Sequence, residues 1–500
     1  MKTKKIGVCL LLTLILTLGL FPMSVFAEQP SVTPITPTST ASITVTNAVE
    51  GDVLTAYKVI DITYNEQTNN LTYEWNSDFA NYFTGTTVEQ FAKLTNDELK
   101  SLLAGLPNYI EENNINAVAT VNVAEDGTAI FENLTIGEYF IRPTSSTSVY
   151  QLMLQKIEPT IKNNTYVIDN VIFTAKNEEV NITKTADKTS VTKNENVNYT
   201  ITIDIPTYST ETIDKTFYVS DLLSDGLTLD TDTIKVQIDN TDISGNAYTL
   251  DTTATADYTF KLSISTEQYT DNWITYGGKQ LVITYSATLN DDDTTEVNVK
   301  ETNNATFDYS YYPYENDSHE QKTDTYEVNT FAIKIDKYAE SNESTKLKGA
   351  KFDLYRTATN EEIAADETVD EENKKVVEIP HTDIQGILLE SGITTDSNGE
   401  ATFAKYEANG NKYTYYLVET QAPSGYNILA DAVEVHFTDA DVSTTEGIFT
   451  VEVPNNSGIT LPITGGDGVI FFSVIGIAFM GGAVFLFIIS RKKSNANYKR

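Results

Sequence analysis

The stretch Val197-Asn198-Tyr199-Thr200-Ile201-Thr202-Ile203 decides the fold. Its apolar residues fall on every second position, and a β-strand sends successive side chains to opposite faces. One face of this strand is therefore built for a core and the other for water. Phe449-Thr450-Val451-Glu452-Val453 repeats the pattern near the other end of the chain. Between them lie many short runs rich in Thr, Val, Ile and Tyr, broken by Asn, Asp and Gly, as in sandwiches of antiparallel strands. The expected fold class is all-β, with tandem Ig-like β-sandwich domains. One exception is Val88 to Leu106, where Phe91, Leu94, Leu99, Leu102 and Leu103 recur near helical spacing. That predicts a small helical insertion in the first domain.

The chain has 500 residues, enough for about three domains. A hydrophobic content of 40% supports several cores. A formal net charge of -37 argues against nucleic acid, whose phosphates must be met by Lys and Arg. One cysteine (Cys9) and three histidines (His319, His381, His436) leave little material for a zinc site or a thiol enzyme. No GxSxG elbow or phosphate loop is present. No cofactor, metal or enzymatic activity is expected. Asp291-Asp292-Asp293 reads as a solvated hairpin tip rather than a cation site.

The ends define the compartment. Lys2, Lys4 and Lys5 precede the apolar run Ile6 to Leu20, and Val25-Phe26-Ala27 offers a small residue before Glu28. Residues 1–27 read as a secretory signal cleaved after Ala27. Cys9 leaves with it. Val469 to Ile489 carries no charge, and Arg491, Lys492, Lys493, Lys499 and Arg500 follow. This predicts a single transmembrane helix over 469–490 with a basic cytoplasmic tail, 491–500. Residues 28–41, rich in Pro, Thr and Ser, look like a flexible leader. Domains are expected at 28–176, 177–329 and 330–460.

Leu461-Pro462-Ile463-Thr464-Gly465, the apolar helix and the basic tail together resemble the LPxTG sorting signal of Gram-positive surface proteins. The resemblance implies cleavage by a sortase between Thr464 and Gly465, with the Thr464 carbonyl passed to an amine. Loss of both ends would remove eight of the 34 basic and one of the 71 acidic residues, taking the net charge from -37 to -44.

Tyr415-Tyr416-Leu417-Val418-Glu419-Thr420-Gln421-Ala422-Pro423-Ser424-Gly425-Tyr426 resembles the E-box of collagen-adhesin B-type domains. Lys334-Ile335-Asp336 and Leu347-Lys348-Gly349-Ala350-Lys351-Phe352-Asp353-Leu354-Tyr355 resemble that domain's opening. In that family the opening lysine forms an amide with an asparagine on the last strand, assisted by the E-box glutamate. The resemblance assigns Lys334 and Glu419. Phe449, Val451 and Val453 share a strand face with residue 455, so Asn455 is expected over Asn456. A looser set, Lys184, Asp221 and Asn303, resembles the A-type domain, in which an aspartate replaces the glutamate. It implies a second Lys184–Asn303 bond.

The first segment, from Ile43-Thr44-Val45-Thr46-Asn47-Ala48 through Leu54 to Ile60, resembles the N-terminal domain of sortase-assembled backbone pilins. Phe131 to Ile141 looks like the strand that carries an E-box elsewhere. The position after Arg142 is Pro143, so no internal bond is expected there. Such pilins use a lysine in a WxxxVxVYPK motif. Aligned here, only Val171 and Lys176 match strictly, and Lys176 ends an alternating strand at the domain boundary. The alternatives are a linker lysine such as Lys162, or none. The sequence therefore reads as a pilus backbone subunit polymerised through Lys176 and Thr464. Its expected partners are other copies of itself, pilus-class and housekeeping sortases, accessory pilins, peptidoglycan and host proteins. A wall-anchored monomeric adhesin, or an accessory pilin, is the alternative.

Overall fold

The computed structural model describes residues 34–457, apart from 215–216, 244–246, 265–274, 292–299, 411 and 444. The chain divides into two compact units. One contains residues up to 146 together with 150–177; the other contains 147–149 and the chain from 178 onward.

The first unit has a sheet in which Thr40–Thr46 lies between Val171–Thr174, parallel to it, and Ala129–Thr135, antiparallel. A second sheet orders Asn70–Trp75, Val53–Asn65, Gly137–Ser145 and Met153–Ile157, with Ala119–Asn122 also pairing to Val53–Asn65. Ile43, Val45, Leu54, Phe131 and Phe140 are buried. Thr40 is already in a strand and Ile35 is buried, so the expected leader ends earlier than residue 41.

The expected helical stretch is three helices, α1 (Val88–Phe91), α2 (Asn96–Leu103) and α3 (Leu106–Glu112). Thr95 breaks the run. Its hydroxyl accepts the Glu98 N–H, and the Glu98 carboxylate accepts the Thr95 N–H at 2.8 Å, a reciprocal cap that starts a new helix. Pro107 in the first turn of α3 likewise suits a helix start, where its missing N–H costs nothing.

Among the described residues of the second unit are two large, separate hydrophobic cores and a small cluster of Tyr355, Ile379, Tyr416 and Val418. The first lies between two five-stranded sheets. In one, Asn196–Asp204 and Gln280–Leu289 are neighbours; in the other, Phe217–Leu223 and Lys300–Ser310. Val197, Tyr199, Ile201 and Ile203 all face this core, as their alternation predicts. The second core lies between a sheet built on Phe331–Ala339 and a five-stranded sheet containing Lys351–Thr357 and Tyr415–Gln421. Phe331–Ala339 is flanked by Glu400–Tyr406, antiparallel, and by the final strand Ile448–Asn455, parallel.

Candidate crosslinking and acceptor sites

In Phe331–Ala339 the odd positions Phe331, Ile333 and Ile335 face the core, and Lys337 continues that face. Its side chain is fully buried, as is that of Glu419. Lys337 Nζ donates to Asn455 Oδ1 and lies 3.3 Å from Glu419 Oε1. The Asn455 amide nitrogen donates to Glu419 Oε1 and Oε2 at 3.0 and 3.1 Å, and to the Asn427 carbonyl at 3.0 Å. The Leu429 N–H fixes Glu419 Oε2 at 2.8 Å. Gly399 supports this strand from the neighbouring turn: its φ is +76°, and a Cβ there would collide with the Lys337 carbonyl oxygen. Burial lowers the Lys337 amine to about 8, against the opposing pull of the Glu419 charge.

The lysine of this cluster is therefore Lys337 and not Lys334. Lys334 sits on the outward face, 29% exposed, paired with Glu400 at 3.1 Å. The alternation that selects Asn455 also selects Lys337, whereas the motif alignment points to the residue three positions earlier, on the other face. Asn455 is buried and Asn456 is exposed.

The middle cluster brings together the three residues expected there. Lys184, Asp221 and Asn303 are all buried, and Lys184 Nζ donates to Asp221 Oδ2. Strand register places Leu223 opposite Asn303 and Asp221 opposite Ala305, so both polar groups point inward. Burial lowers the Lys184 pKa and raises that of Asp221, each opposed by the other's charge. Both shifts favour a neutral amine beside a protonated acid. Sequence reasoning missed Tyr285, whose hydroxyl accepts from Lys184 Nζ at 2.5 Å and from Asn303 Nδ2 at 2.9 Å. Burial first, then the Asp221 charge, pushes its phenol well above the usual range. Asp221 Oδ1 and Asn303 Oδ1 find no hydrogen-bond partner among the described residues.

The first unit offers an instructive contrast. Lys58 Nζ lies 2.8 Å from Asp61 Oδ1, and Asn76 Nδ2 donates to Asp61 Oδ2 at 3.0 Å. The residue types resemble those of the buried clusters. However, the Asp61 side chain is 40% exposed, so this group is open to water, whereas the other two clusters are closed to it. At the E-box-like strand, Arg142 pairs with Glu111 and is followed by Pro143.

Lys176 is exposed, two residues past the strand Val171–Thr174. Its carbonyl accepts the Gln151 N–H at 2.9 Å, which fixes the backbone. The side chain lines a groove of about 440 Å³ with Leu99 and Leu103 of α2, Leu152, Met153 and Phe173. Lys162, by contrast, is held by Asp169 at 2.6 Å. Ala27, the sorting motif Leu461, Pro462, Ile463, Thr464 and Gly465, the span 469–490 and the basic tail lie outside the described residues, as do Asp292 and Asp293.

Residues 331–448 match the SpaA family, a prealbumin-like fold domain, and residues 453–496 match the LPXTG cell wall anchor motif. The chain is 29% identical over 164 residues to the fimbrial subunit type 1 of Actinomyces viscosus, covering 30% of each protein. It is 25% identical over 362 residues to the trypsin-resistant surface T6 protein of Streptococcus pyogenes serotype M6, covering 60% of this chain and 65% of that one. It therefore spans less than two thirds of either relative. Among solved structures, the three-domain T6 backbone pilin of that serotype superposes with a TM-score of 0.56 at 20% identity, over 80% of both chains.

Proposed function

We propose that this chain is the structural backbone subunit of a covalent, wall-anchored surface pilus. A sortase joins Thr464 of one copy to Lys176 of another, and the unit is stiffened by internal Lys337–Asn455 and Lys184–Asn303 amides. The observation that carries the polymer reading is the placement of Lys176. It is an exposed amine on a fixed backbone, at a groove of mixed lining in which Leu99, Leu103, Met153 and Phe173 alternate with Asn96, Lys100, Gln151 and Gln155. A head-to-tail link of this kind is heterologous and can extend without closing. The names of the relatives, a fimbrial subunit and a backbone pilin, agree with it.

Each internal bond follows from the local chemistry. A desolvated, neutral Lys Nζ attacks the Asn Cγ held beside it. The Nζ–Cγ bond forms and the Cγ–Nδ2 bond breaks. The carboxyl passes one proton from Nζ to Nδ2, and ammonia leaves. Glu419 is placed for this transfer in the third domain and Asp221 in the middle one; Tyr285 positions both reactants there. Holding the groups on adjacent strands supplies the effective concentration that an intermolecular reaction lacks.

The test of the polymer is an immunoblot of wall material released by a muramidase and boiled in detergent, from wild-type and Lys176→Ala cells. The expected result is a ladder of multimers in the wild type that collapses in the variant. A ladder surviving the substitution would move the acceptor to another lysine. A single species in both strains would make the chain a monomeric anchored adhesin.

A further inference from the structure

We propose that the outward face of the three-stranded sheet in the first unit, centred on Ile172 and Ile130, is the docking surface for a second copy of this chain. The second copy covers it with the end of its third domain, around Ile428. The inference rests on the Lys176–Thr464 link proposed above and names the non-covalent surface that accompanies it.

Thr44 is paired with Ile172 on one side and with Ile130 on the other, so the three side chains form one row across the sheet. They point away from the core that Ile43, Val45 and Phe131 fill. Ile172 is 72% exposed and Ile130 47%. Around them the outward positions are Ser42, Thr44, Thr46 and Thr174; the charges are Glu132 and, two residues beyond Thr174, Lys176 itself. In a chain of net charge -37, an uncharged apolar row of this kind is a place where two copies can touch without repulsion.

The tether identifies the occupant. The final strand ends at Asn455, and Thr464 is nine residues further on. Extended chain spans at most about 3.5 Å per residue, so the third domain of the linked copy must end within about 30 Å of Lys176. Ile172 lies four residues before Lys176, about 13 Å along the strand and well inside that radius. The surface arriving there also carries an unpaired apolar residue. Ile428 is 48% exposed, and its neighbour Asn427 donates to the Asn456 carbonyl at 3.0 Å, at the point where the chain leaves the domain.

The test uses the absence of cysteine downstream of Cys9. Ile172→Cys, Ile428→Cys and, as a control on a separate two-stranded ribbon, Ile161→Cys (native Ile161 62% exposed) are each introduced into the full chain. Maleimide labelling is then compared between purified wall polymers and the recombinant monomer. The proposal expects the Ile172→Cys and Ile428→Cys variants to lose labelling in polymers while the Ile161→Cys variant keeps it. Full labelling of the Ile172→Cys variant in polymers overturns the docking surface and leaves the polymer standing. Equal protection of all three introduced thiols, the mark of fibres bundling together, also overturns it. Absence of any polymer in the unsubstituted strain overturns both readings.

Discussion

Lys337 and Asn455 are diagonal neighbours on parallel strands: Lys337 is opposite Val453, and Asn455 is opposite Ala339. Both face inward, and Glu419 reaches them from the opposing sheet. An ordinary buried ion pair here would be a poor source of stability, because desolvating two charges costs about what their attraction returns. Amide formation removes the buried amine and its charge.

Intact mass separates the two candidate lysines. The recombinant ectodomain is expected to have lost two molecules of ammonia. Lys337→Ala should restore the mass of one, and Lys334→Ala should restore none. If Lys334→Ala is the variant that regains ammonia, the assignment to Lys337 fails. A third loss would mean that the solvated Lys58–Asp61–Asn76 group reacts, against the desolvation argument.

The buried amine also predicts a pH dependence that the crosslink should erase. In Asn455→Ala the bond cannot form, and Lys337 remains an amine beside Glu419. Its folded pKa, lowered to about 8 chiefly by burial, lies below the unfolded value of 10.5. Between those values the unfolded chain binds more protons than the folded one, so stability rises as pH increases through that window. Thermal unfolding of Asn455→Ala is expected to move to higher temperature from pH 8 to pH 10, relative to the unsubstituted domain. A falling or flat difference would show that Lys337 is not buried uncharged.

These relationships are legible in the sequence to different degrees. Strict alternation, as in Asn196–Asp204, exposes the all-β fold, because burial on one sheet face imposes period two over many residues. The same rule picks Asn455, and carried along Phe331-Ala332-Ile333 it picks Lys337; the motif Lys334-Ile335-Asp336 instead draws the lysine to the wrong face. The helical region is recognisable as helical, and its breaks are not. Apolar spacing averages over Thr95, whose effect is a local hydrogen bond between its own backbone and Glu98. Tyr285 is invisible for another reason. A tyrosine at a core position of a strand looks like packing until the strands that bring Lys184 and Asn303 to its hydroxyl are in place.

Tyr285→Phe tests that positioning role. The substitution keeps the ring and its stacking on Tyr199 but removes the oxygen shared by the two reactants. Lys184–Asn303 bond formation is expected to slow on the order of tenfold or more, seen as a mixture of masses in freshly purified protein. The Lys337–Asn455 bond should form as before. Complete loss of both ammonia molecules at the unsubstituted rate would assign Tyr285 to packing alone.

The internal bonds should also protect each sandwich separately. The Lys337–Asn455 bond closes a loop between residues 118 apart. By the chain-entropy argument used for disulfides, a loop of this size removes about 5 kcal/mol from the unfolded state's advantage. Asn455→Ala is therefore expected to lower the denaturant midpoint of the third domain steeply at pH 7, where the stranded lysine adds its own cost. Because the middle sandwich has its own core, its transition should stay where it was, and one cooperative loss should become two steps. Lys184→Ala should do the reverse, weakening the middle domain and sparing the third. If either substitution shifts both transitions equally, the two sandwiches unfold as one, and the crosslinks act on the whole unit rather than on the domain that contains them.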